Sequence, residues 1–256
     1  MGEKKNNKTV PLSVGHHFEE RFQGFLAKER SQEVRSLKEA LYQWWLRWEE
    51  VDTGVEDLRH QSVASWADYV EYSREGEEGD PVMVGGFTSL VRWMEERLEG
   101  RVEVRLESRV ERVAWAGEEG VVVTCHTGVK HSGRLAICAL PLGVLKQEHT
   151  QMFQPALPRK KVEVIEKLGF GTMDKIFLKF DSVFWDEDNP GIQLVDTTRK
   201  MNCEEDDLAE TWQDNIAGFD VVVGQENTLC GWVVGRTARY METLTTQQVE
   251  PHFSKW

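Results

Sequence analysis

Two places in the chain combine side chains capable of chemistry with neighbours that would tune them. From Thr172 to Phe180 the residues alternate. Asp174, Ile176, Leu178 and Phe180 fall on one face and Met173, Lys175, Phe177 and Lys179 on the other, the period of a strand. Lys175 therefore sits between two apolar neighbours on its own face. Covering that face would strip water from the ammonium and suit the lysine to proton transfer or to holding a water. The plainer alternative is a solvated lysine on a half-buried strand. The second place is Glu49-Glu50, beside Trp45 and Trp48. Aromatic faces next to a carboxylate suit an amine cation, and a solvated helix end is the alternative.

The elements that would position these groups are partly legible. A helical spacing runs through Phe18, Phe22, Phe25 and Leu26. A longer one follows Ser31, a candidate N-cap, with Val34, Leu37, Leu41, Trp44, Trp48 and Val51 on one stripe. That stripe predicts a helix packed on the domain body rather than a coiled-coil seam, since it falls short of three heptads. The first ten residues read as disordered and Glu71 to Asp80 as a charged linker. After Gly85-Gly86 comes a helix with Phe87, Leu90, Val91, Met94 and Leu98, closed by Gly100.

Strands are expected over Val102–Leu106, over Ser108–Trp115 with a bulge between Val110 and Val113, over Val121–Cys125 and through Leu135–Leu140. Pro158 and Gly169 bracket a further helix. Residues 196–215 read as a polar, acidic excursion. Phe219–Val223 and Leu229–Val234 read as strands, and Thr245 with Gln248 forms a capping box cut short by Pro251.

Composition limits the partners. A 256-residue chain with 40% hydrophobic content and ten Trp has room for a substantial core. Its net charge of -13 argues against a nucleic-acid partner and permits a cationic substrate. The four cysteines show no metal or disulfide spacing, and Cys138 and Cys230 are expected as small buried hydrophobes. No apolar run reaches membrane-spanning length, and MGEKKNNKTV lacks the apolar core of a signal peptide. A cytoplasmic location is the expectation; the C-terminal Ser-Lys-Trp is not the peroxisomal Ser-Lys-Leu.

GFGTMDKIFLKF followed by VFW, with the upstream ICALPLGVLKQ and LPRKKVEVIEKLGFG, resembles the flavin-containing amine oxidases. The resemblance is strongest to animal polyamine oxidases and extends more distantly to lysine-specific histone demethylases. It runs from about Asp80 to Glu242 and more weakly back to Leu41. It implies an α/β (α+β) fold: a partial FAD-binding domain at 80–145, and a substrate domain from 1–79 and 146–256 with a mixed sheet and flanking helices. It also implies oxidation of polyamines with release of hydrogen peroxide.

In that family the lysine at the Lys175 position holds a water near the reactive flavin nitrogen. The position of Val110 binds the adenine end through its backbone, and Pro141, Leu142 and Gly143 match a segment passing close to the cofactor. Glu49 matches an acid that holds a substrate ammonium. Phe184 and Trp185 are candidates to line a substrate cavity, with core packing as the alternative.

One expected part is absent from the 256 residues. No strand-loop-helix carries G-x-G-x-x-G. The chain is thus expected to be a central fragment that binds FAD weakly or not at all alone. A non-catalytic binding or regulatory protein that kept the fold, and a histone demethylase relative, are the rival readings. The second is disfavoured because the sequence holds no long coiled-coil insertion and no basic surface.

Overall fold

The computed structural model describes residues 13–66, 68, 83, 85–98, 100–117, 120–186, 189, 191–198 and 208–253. The first ten residues and the linker from Glu71 to Asp80 lie outside them. The helices in chain order are α1 (Val14–Leu26), α2 (Gln32–Thr53), α3 (Val63–Trp66), α4 (Phe87–Leu98), α5 (Leu142–Met152), α6 (Arg159–Lys167), α7 (Leu208–Thr211), α8 (Gly235–Met241) and α9 (Thr246–Val249). The strands are β1 (Val110–Gly117), β2 (Gly120–Cys125), β3 (Lys130–Gly133), β4 (Phe153–Gln154), β5 (Met173–Lys179), β6 (Gly191–Gln193), β7 (Gly218–Val221) and β8 (Thr228–Val234). The architecture is α/β, and the chain divides into two compact units, Met1–Gly86 with Gly171–Trp256, and Phe87–Phe170.

The first unit is built on an antiparallel sheet of order β5-β8-β7-β6. β5 is the predicted strand, and its alternation decides what is buried. Ile176 turns into a core with Phe219, Leu229 and Val233 of the sheet and with Trp212, Ile216 and Ala238 beyond it. Trp212 has no exposed surface at all, so the segment read as an excursion is corrected over 208–215. There α7 and a 3-10 turn, Trp212–Asn215, close the core. Residues 199–207 of the excursion lie outside the described residues. A single large apolar ring outweighs the polar residues around it, because burying it removes more surface from water than any neighbour could.

α1 and α2 begin where the sequence places them. The Ser13 and Ser31 hydroxyls accept from the backbone N–H of His16 and Val34, and Gly54 ends α2 in the left-handed region at φ 65°. Their mutual contact uses Phe22 stacked on Tyr42 at 4.0 Å and Phe18 tilted on Trp45 at 4.6 Å. Leu26 and Ala40 are buried, whereas Val34, Leu37, Leu41 and Trp48 are exposed. The packing face expected of α2 is therefore corrected: the apolar stripe is largely open and an aromatic face meets α1. Periodicity reveals an amphipathic helix but does not say which apolar face finds cover.

The second unit carries a mixed sheet of order β3-β2-β1-β4, with β1 parallel to β4 and antiparallel to β2. The register shifts between Val110 and Arg112, the bulge that the broken parity foretold. α5 and α6 flank this sheet. Two expected strands are corrected. Val102, Val104 and Leu106 form no ladder and are exposed, and 135–140 is likewise unpaired. β3 forms earlier, at Lys130–Gly133. Alternation favours a strand only when a neighbour supplies hydrogen bonds, and none of the described residues does so here. Cys138 lies in the unpaired run and is exposed, correcting its expected burial, while Cys230 is buried.

If Trp212 closes the core, Trp212→Ala is expected to cost about 3–5 kcal/mol in urea unfolding. Phe184→Ala, at a ring 57% exposed, is expected to stay within about 0.5 kcal/mol. Equal losses would show that 208–215 is peripheral after all.

Candidate active site

The β5–β8 ladder sets Lys175 directly opposite Trp232, with Met173 and Phe177 on the same face of β5. That face is open: Met173, Lys175, Phe177 and Lys179 are all exposed. The covering imagined for Lys175 is thus absent among the described residues, and the ammonium finds an aromatic ring instead. Its Nζ lies 4.2 Å from the centroid of Trp232, well inside cation–π range and worth about 0.5–1 kcal/mol at an exposed site. Lys179, two residues on, pairs with Thr228.

Two further groups share this face. Asp220 pairs with Cys230 on the neighbouring ladder, which puts it diagonally across from Trp232. Burial pushes the Asp220 carboxyl up, and a hydrogen bond from the Trp232 side chain opposes that shift. Burial also pushes the Cys230 thiol up, with Lys175 opposing and Asp220 adding to it. On the core face, burial and then Glu242 raise Asp174, whose Oδ2 is buried without a hydrogen-bond partner.

The C-terminal end of α2 abuts the start of β5. A side chain on Gly54 would meet Met173 Cε at 3.7 Å, and one on Gly171 would collide with the Gly54 carbonyl oxygen. Glu49 lies one turn back from this junction. Burial, then Asp52, raises its carboxyl, while a hydrogen bond from Trp45 lowers it. Glu50 is pushed up to about 8, first by burial and then by Asp57, against the Leu58 N–H, Arg47 and Arg59. No basic residue occupies the last turn of α2. Three acids, Glu49, Glu50 and Asp52, thus face the negative end of the helix dipole, an arrangement that costs stability unless a cation answers it. Trp185 packs with Phe180 and Phe184 at ring distances of 5.9 and 5.0 Å, against the core cluster. The α2 junction brings Gly54 against Met173 at the start of β5. Trp232 and Asp220 escaped the sequence reading because only the pairing register reveals them.

In the second unit, Val110 opens β1 and is half-buried, and Pro141 is the N-cap of α5 without a side-chain hydrogen bond. Leu142 and Gly143 form the first turn of that helix, where the sequence suggested a strand end and turn. A Cβ on Gly143 would lie 2.7 Å from the Phe170 ring, so its free side is already filled. A flavin dinucleotide needs several converging N–H groups around its pyrophosphate. With no Gly-rich phosphate loop in the sequence and Gly143 covered, the residues present do not by themselves fit FAD. Among the described residues no cluster of His, Cys, Asp and Glu could hold a metal, and no helix is long and apolar enough to cross a membrane.

The chain belongs to the flavin containing amine oxidoreductase family, which its residues 4–254 match. It is 36% identical over 143 residues to the peroxisomal N(1)-acetyl-spermine/spermidine oxidase of Homo sapiens, covering 54% of this chain and 28% of that protein. It is 29% identical over 251 residues to the lysine-specific histone demethylase 1B of Mus musculus, covering 97% and 28%. Among solved structures, cyclohexylamine oxidase from Brevibacterium oxydans IH-35A shares the fold with a TM-score of 0.51 at 21% identity, over 91% of this chain and 48% of that one. In each case the match spans less than half the length of the relative.

The folded protein holds the Glu50 proton more tightly than an unfolded chain does. Stability is therefore fullest below the ordinary carboxylate range and falls as pH rises to about 8. Glu50→Gln is expected to flatten that slope and to gain about 1–3 kcal/mol over the native chain at pH 8.5, after allowance for partial solvent access. Urea midpoints across pH 4.5–8.5 measure it, and parallel curves for the two proteins would exclude Glu50 as the source.

Proposed function

We propose that the chain is the amine-handling part of an FAD-dependent oxidase acting on polyamines, spermine or acetylated polyamines, with hydrogen peroxide as the second product. The observation that carries this is the exposed Lys175 on β5, held over Trp232 in a chain of the flavin containing amine oxidoreductase family. Lys175 is the catalytic residue, its ammonium fixing a water on the open face. Glu49 binds a substrate ammonium, with the net charge of -13 and the acid-rich end of α2 favouring a polycation. Trp185 joins as the aromatic neighbour of the exposed Phe184.

In the second unit Val110, Pro141, Leu142 and Gly143 are the flavin-side positions by family resemblance, too few to hold FAD without other residues and with Gly143 reachable only if Phe170 moves aside. Residues 80–145 are the partial cofactor-binding domain, with 1–79 and 146–256 as the substrate domain. Flavin, when bound, supplies the electron chemistry; this chain alone is expected to hold it weakly or not at all. Location follows the cytoplasmic expectation, with the peroxisome, named for the human relative, as the alternative that imaging of tagged protein decides.

The rival from another class is a binding or regulatory protein that kept this fold, favoured by the missing phosphate loop. Purified chain should therefore elute colourless from gel filtration after incubation with FAD; stoichiometric yellow protein would refute the weak-binding expectation. In a chain extended by a Gly-rich phosphate-loop segment so that it holds flavin, Lys175→Met is expected to slow flavin reduction by spermine, or reoxidation, by about 10²–10⁴-fold while flavin stays bound. Lys179→Met, on the same face, is the control with little effect. Equal rates for Lys175→Met and the parent would leave the binding-protein reading standing.

A further inference from the structure

We infer that Trp232 is the positioning residue for Lys175. This rests on the role just proposed for Lys175, though the geometry stands apart from any reaction. The argument begins with the freedom of a lysine. Its four-carbon stem carries the charge through many rotamers, and Lys175 is exposed, so packing alone does not fix the ammonium. An exposed charge that must hold a water at one place needs a second constraint.

Three successive strands supply it. Lys175 on β5 lies opposite Trp232 on β8, and its Nζ sits 4.2 Å over that ring. The Trp232 ring is itself half-buried on a largely buried strand, which limits its own rotation. Asp220 on β7 pairs with Cys230 and so lies diagonal to it on the same face of the sheet. A carboxylate, a ring and an ammonium thus follow one another across the open face. Each is set by a ladder position rather than by a loop. Trp232 acts through Lys175.

The contact has a direct signature that needs neither flavin nor amine. Protons held over an indole face resonate upfield, so the ε-methylene of Lys175 is expected upfield of the other lysines in carbon-resolved NMR of the intact chain. The signal is assigned by its disappearance in Lys175→Met. It should move to the position of the solvated lysines in Trp232→Leu and persist in Trp232→Phe. A second readout is acylation by an amine-reactive ester, followed by mass spectrometry. Lys175 should react severalfold more slowly than Lys179 in the native chain and at a similar rate in Trp232→Leu. A Lys175 resonance among the solvated lysines in the native chain, or one unmoved by Trp232→Leu, overturns the proposal. Should Trp232→Leu fail to fold, the native spectrum and Trp232→Phe decide it alone. The flavin kinetics of Lys175→Met test the amine-oxidation reading separately, so either can fail without the other.

Discussion

The structure depends most on the register between β5 and β8, which runs without interruption from Met173↔Val234 to Lys179↔Thr228. Side chains alternate with a period of two, so this register assigns every residue of both strands to core or open face at once. Ile176 and Val233 go to the core, and Lys175 and Trp232 go outward. A slip of one residue would bury the ammonium in an apolar cluster and expel Ile176 to water. The cost of a buried, unpaired charge makes that alternative inaccessible. The same constraint that stabilises the unit therefore delivers the lysine, and the buried Trp212 and Phe219 rings that fill the core also hold the lysine in place.

The helix end beside that sheet breaks a local rule. Acids are expected at a helix N-terminus and bases at its C-terminus, and α2 closes with Glu49, Glu50 and Asp52 and no base. Gly54 supplies the left-handed cap that lets the chain turn toward β5, but it does nothing for the charge. Part of the conflict is relieved by protonation, since Glu50 is raised to about 8 and Glu49 is raised as well. Violations of this kind concentrate where function rather than stability selected the residue. A cationic ligand would relieve the rest.

Much of this was legible in the sequence, and the boundary follows a physical line. Local chemistry reads well: Ser31 as a cap, the bulge at Val110, the Thr245–Gln248 box and the alternation of β5. Each is decided within a few residues by hydrogen bonds or sterics. What the sequence concealed is decided at a distance. Val102–Leu106 alternates as well as any strand, yet it has no ladder partner among the described residues. The stripe on α2 is regular, yet α1 meets a different face of that helix. Trp212 stands in a polar, acidic stretch and is nevertheless the most enclosed large side chain. Pattern specifies which surfaces want cover, and only the fold determines which of them receive it.

The candidate site shows the same division. Lys175 and Glu49 were proposed through the family resemblance, with the alternation of the strand and the flanking tryptophans making those roles physically reasonable. Trp232 was not, because nothing in TLCGWVV marks one residue as the partner of a lysine more than fifty positions earlier. Once the pairing is known, the preference for tryptophan has a reason: its ring offers the strongest π face for an ammonium. A phenylalanine would keep a weaker face, and an aliphatic residue would lose it. The exposed lysine thus needs no burial to be held, which leaves its ammonium solvated and able to keep a water while its position stays fixed by three neighbouring strands.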